Sequence, residues 1–109
     1  MSAGRQAITA TPEESALVVA ARSGDNRALA DLLGKYLPLV YNIVRRALSD
    51  PADVDDVVQE IMLLVVRDLP GLREPNSFRA WLVAITHHQI STYRHRRRAG
   101  RPAAAIEEA

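Results

Sequence analysis

At 109 residues the chain is long enough for one domain with a real core and too short for two. Hydrophobic residues make up 48% but aromatics only 5%, so Leu, Val, Ile and Ala must fill the core, and their helical spacing favours packed helices over a β-sandwich. The absence of cysteine excludes disulfides and thiolate metal sites, and a formal net charge of +1 conceals an acidic block from Asp50 to Glu60 and a basic one from Arg94 to Arg101.

Residues 1–10 are small and polar and are expected to be disordered. They carry no apolar signal-peptide core, and no later run reaches transmembrane length, so a cytoplasmic chain without a membrane partner is expected. Thr11-Pro12-Glu13-Glu14 starts the first helix: Thr11 is the N-cap, Pro12 the first helical residue, and Glu14 completes a capping box. This helix is short and ends at Ser23-Gly24.

Asp25 or Asn26 caps the next segment, in which Leu29, Leu32, Leu33, Tyr36, Leu37, Val40, Ile43, Val44 and Leu48 keep the helical period. Pro38 lies inside it, which predicts either a kinked helix or two helices joined near Lys35. Asp50 and Pro51 then cap and open another helix, with Asp53 at the capping-box position. Val54, Val57, Val58, Ile61, Met62, Leu64 and Val65 form its apolar face. Asp53, Asp56, Gln59 and Glu60 fall on the other side.

Leu69 to Asn76 reads as a loop, broken by Pro70, Gly71 and Pro75 and made polar by Arg73, Glu74 and Asn76. Ser77 is a candidate N-cap for a last helix with Phe78, Trp81, Leu82 and Ile85 on one stripe. Arg94, His95, Arg96, Arg97 and Arg98 then surround that helix with positive charge. The Gly-Arg-Pro break beyond them marks 99–109 as a linker or tail, leaving a helical domain over 11–98.

Each charged block has two readings. First-turn carboxylates complement a helix dipole, yet Gln59 and Glu60 lie beyond that turn and suit docking onto a basic partner. The arginines either hold phosphates or form a solvated helix end. His87, His88 and His95 lack accompanying carboxylates or thiolates, so no metal site is expected. With no glycine-rich phosphate loop and no nucleophile beside a base, neither an enzyme nor a cofactor is expected.

In order, DVDDVVQEIM, a proline-broken loop and FRAWLVAITHHQISTYRHRRR resemble region two of a bacterial sigma factor of the extracytoplasmic-function (ECF) class, over about Ala28 to Arg98. The family pattern is close to D-A-E-D-[LV]-V-Q-E-V-F followed by F-x-x-W-L-x-x-I-A-x-N and arginines. Asp53, Asp56, Val58, Gln59 and Glu60 match its first block; Phe78, Trp81, Leu82 and Ile85 match its second. Met62 replaces a usual phenylalanine, His88 an asparagine and Thr92 an aspartate. The family's second DNA-binding domain is not among these residues, so a truncated or excised domain is expected.

The resemblance implies an all-α bundle of about four helices. It implies core RNA polymerase docking, with Asp53, Asp56, Gln59 and Glu60 on the β′ clamp helices, and recognition and melting of the −10 promoter element. The loop with Arg73 and Asn76, and His88 beside it, would hold an unstacked base of the non-template strand. Arg94, Arg96, Arg97 and Arg98 would hold phosphates. Trp81 either wedges the duplex or packs in the core. An anti-sigma factor is a further expected partner. The competing readings are a helical adaptor without a DNA role and a nonspecific single-strand binder.

Overall fold

The computed structural model describes residues 11–108, with side chains through 98. The disorder expected at 1–10 lies outside the described residues. The architecture is all-α: α1 (Pro12–Arg22), α2 (Asn26–Ala47), α3 (Pro51–Asp68) and α4 (Phe78–Glu108), with 3-10 turns at Leu69–Gly71 and Pro75–Ser77 before α4.

Local chemistry sets most of the helix starts. Thr11 accepts from the Glu14 amide at 3.1 Å, Asp25 from the Arg27 and Ala28 amides at 3.0 and 3.1 Å, and Asp50 from the Ala52 amide at 2.9 Å. Gly24, at φ 106°, takes the left-handed conformation that closes α1. Two expected caps differ. The Glu14 side chain does not return to Thr11; it accepts from the Tyr36 hydroxyl and pairs with Lys35 at 3.2 Å, because a tertiary partner is within reach. The turn before α4 is capped by Glu74, which accepts from the Asn76 amide at 3.4 Å, so Ser77 ends a 3-10 turn rather than capping α4.

Pro38 does not split α2, which is one helix of 22 residues. Proline has no N–H, so the Gly34 carbonyl loses its helical partner. Both residues are exposed, and water meets that carbonyl at little cost. The Gly-Arg-Pro stretch likewise does not end α4, whose backbone continues to Glu108.

The core is one cluster fed by every helix: Val18 from α1, Leu32, Val40 and Val44 from α2, Val57, Ile61 and Val65 from α3, and Phe78, Leu82 and Ile90 from α4. Tyr36, Phe78 and Trp81 form an aromatic stack with ring centroids 5.3 and 5.8 Å apart. Trp81 therefore packs against the core and is half-buried. Thr86, fully buried, satisfies its hydroxyl on the Leu82 carbonyl at 2.8 Å.

Candidate functional site

The acidic and basic blocks, far apart in sequence, meet on the seam between α3 and α4. Glu60 accepts from Arg96 at 3.1 Å and from Gln89 at 3.3 Å. About two turns toward the start of α3, Asp53 pairs with Arg97 at 3.7 Å. Arg97 also donates to the Tyr93 hydroxyl at 3.3 Å and lies over that ring. The Asp53 carboxylate beside Tyr93, and then burial, raise that hydroxyl above its ordinary pKa. The opposed poles are thus partly neutralised within the domain.

Asp56 and Gln59 remain exposed, and no intramolecular hydrogen bond or ion pair engages them among the described side chains. They share a face with Leu63, since residues spaced by three, four and seven lie together on a helix. Leu63 is 64% exposed, the most open large hydrophobic side chain of the described core-forming helices. With Tyr93, Arg96 and Arg97, these residues line a depression of about 520 Å³. Leu63 was not among the expected site residues. Its position seven after Asp56 was the available signal.

The loop ahead of α4 is held by α1. Arg22 donates to the Leu72 and Arg73 carbonyls at 2.9 and 3.1 Å, and Asn76 accepts from the Ser15 hydroxyl at 2.5 Å. Asn76 and Arg73 are both exposed. His88 is exposed but not beside this loop: it lies eleven residues beyond Ser77, about 16 Å along α4. The structure does not bring Asn76 and His88 together around one base.

The basic stretch of α4 divides by helical angle. Arg96 and Arg97 turn toward α3. Arg94 and Arg98, one turn apart, lie toward α2, where Arg94 donates to the Ala47 carbonyl at 2.6 Å. That bond satisfies one of the orphan carbonyls at the end of α2. Among the described residues, no three His, Asp or Glu side chains are grouped as metal ligands would be.

A pinned loop leading into a long helix that carries an arginine run, with an acidic helix packed beside it, defines an all-α domain with opposed acidic and basic faces. The family model for sigma-70 region 2 matches residues 32–101, and the chain belongs to that family. It is similar to the ECF RNA polymerase sigma factor SigC of Mycobacterium tuberculosis and to the sigma-C factor of Mycobacterium bovis. Identity to each is 32% over 87 residues, covering 78% of this chain and 46% of the relative. The chain therefore spans about half the length of the curated relatives it matches. A solved structure of an engineered region 2 of sigmaE, in complex with GTAAAA, superposes with a TM-score of 0.68 at 28% identity. The match covers 77% of this chain and 90% of that one.

Proposed function

We propose that this domain docks on core RNA polymerase and recognises the −10 promoter element in the cytoplasm, as a non-enzymatic initiation factor of the ECF class. The observation that carries this reading is family membership together with a similar fold solved in complex with GTAAAA. The exposed Asp56–Gln59–Leu63 face is the proposed contact with the β′ clamp helices, with Asp53 and Glu60 at its border. A docking face with an exposed apolar residue inside a polar rim suits a specific interface, because the apolar side chain is desolvated and the charges steer the encounter.

The loop Leu69 to Asn76 is the proposed base-reading element. Its anchoring by Arg22 and Ser15 reduces the entropy lost when a base orders it. Asn76 offers an amide that can pair with a base edge. Base capture and melting in this scheme are driven by binding alone, without hydrolysis. His88, displaced along α4, is assigned to a different nucleotide from the one at Asn76. Arg73 lies with the loop, and Arg94, Arg96, Arg97 and Arg98 lie along the strand's phosphates. An anti-sigma factor is proposed as a further partner that would compete for these faces.

The test is core-polymerase binding by the Asp56→Lys variant. Asp56 is exposed and unpaired among the described side chains, so helix content and Tm should hold while polymerase binding is lost. Wild-type binding by the variant would remove α3 from the interface. A chain that binds neither core polymerase nor single-stranded promoter DNA would overturn the assignment as a whole.

A further inference from the structure

We infer that the groove between the C-terminal end of α2 and the middle third of α4 is a second phosphate-binding site. Its ligand is the phosphodiester backbone of DNA, and its decisive residues are Arg46 and His87. The inference rests on the promoter-binding reading above and adds residues from a helix to which that reading gives no DNA contact.

The groove has a volume of about 600 Å³ and is lined by Arg46 from α2 and by His87, Arg94 and Arg98 from α4, over an apolar floor that includes Ile43 and Ile90. Among the described residues no carboxylate lines it. That distinguishes it from the α3–α4 seam, where Glu60 and Asp53 already occupy Arg96 and Arg97. Asp50 and Asp53 line the adjoining depression that shares Arg94 and Arg98, whereas Arg46 and His87 line only the groove.

Three features make the groove a phosphate site rather than a solvated helix end. Its cations come from two helices, so their convergence is set by packing and not by one frayed terminus. The donors surround a concave space, where low-dielectric walls concentrate the field on an anion. Arg94 is held by the Ala47 carbonyl at 2.6 Å, which fixes one wall without consuming its remaining N–H groups.

The groove also lies far from the base-reading loop: Ser77 and Arg94 are about 25 Å apart along α4. A strand engaged at both places must pass several phosphates between them. The groove therefore adds register and salt-dependent affinity without reading sequence.

The experiment compares the 109-residue chain with Arg46→Gln, His87→Gln and Arg46→Lys by fluorescence anisotropy, using a labelled single strand containing GTAAAA across a salt series. Arg27→Gln, at the opposite end of α2, is the control. Arg46→Gln should weaken binding at every sequence tested and reduce the log–log salt slope by about 0.7, the value for one phosphate on a single strand. His87→Gln should weaken binding with a smaller slope change. Arg46→Lys should keep the wild-type slope, because the charge survives, and Arg27→Gln should match wild type.

Equal affinity and slope for wild type and Arg46→Gln would overturn the groove assignment while leaving promoter binding intact. A loss in Arg46→Gln that Arg46→Lys does not restore, or one accompanied by a fall in Tm, would mean that Arg46 acts structurally, and would also overturn it. A wild-type chain with no affinity for the strand at low salt would overturn both the groove and the promoter-binding reading.

Discussion

Glu60 and Arg96, 36 residues apart in sequence, form an ion pair of 3.1 Å across the seam of α3 and α4. Glu60 closes the acidic block and Arg96 is the middle of the run Arg94 to Arg98, so the contact joins the proposed polymerase face to the proposed phosphate-binding stretch. Both side chains are about half exposed, which limits what the pair adds to stability.

A double-mutant cycle on Glu60→Ala and Arg96→Ala should give a coupling energy of about 0.2–1 kcal/mol by chemical denaturation. Releasing Arg96 has a larger functional consequence. Glu60→Gln should raise low-salt affinity for single-stranded DNA about two- to fivefold, with the gain fading as salt screens the exposed charges. Unchanged affinity at low salt would place Arg96 away from the DNA.

The aromatic stack tests where stability resides. Phe78 is 1% exposed and touches the rings of both Tyr36 and Trp81. Phe78→Ala should cost about 3–5 kcal/mol in urea denaturation. Leu63→Ala, on the exposed face of α3, should change stability by about 0.5 kcal/mol or less, while weakening polymerase binding. A large stability loss at Leu63 would mean that it packs within the domain.

The loop makes a separable prediction. Asn76→Ala removes the contact with Ser15 and should cost about 0.5–1.5 kcal/mol of stability. Ser15→Ala should cost a similar amount, yet only Asn76→Ala should relax base preference, at a single position of the −10 element, by about 1–3 kcal/mol. His88→Ala should act at a different position, because about 16 Å of helix separates it from the loop. Selection of promoter sequences with polymerase and a full-length protein carrying this domain reads both; changes at one shared position would contradict the geometry.

Alkaline stability should report on Tyr36. Burial first, and then its hydrogen bond to Glu14, raise this hydroxyl well above the ordinary tyrosine value. The folded state therefore holds the proton that the unfolded chain releases near pH 10, so the stabilising term is complete below about pH 10 and is lost as pH rises beyond it. Tyr36→Phe should flatten that alkaline decline in a pH series of urea melts. An equally steep decline in the variant would assign it to other groups.

Where the determinants are local, the sequence is enough. Thr11, Asp25 and Asp50 cap their helices because the acceptor and the orphan amides are two or three residues apart. The buried stripe of Phe78, Leu82 and Ile90 follows from helical spacing, and the paired blocks DVDDVVQEIM and FRAWL carry the family.

Tertiary packing decided the rest, since its partners are remote in the chain. Glu14 forgoes its capping box for Tyr36 and Lys35, 22 and 21 residues away, because a buried hydroxyl must be satisfied where it lies. Pro38 breaks nothing, because it and Gly34, whose carbonyl it orphans, are both exposed. The run Arg94 to Arg98 looks like one cluster in sequence, but each residue turns about 100° from the last. Only the placement of α2 and α3 on either side of α4 decides that Arg96 and Arg97 meet carboxylates while Arg94 and Arg98 join Arg46 and His87.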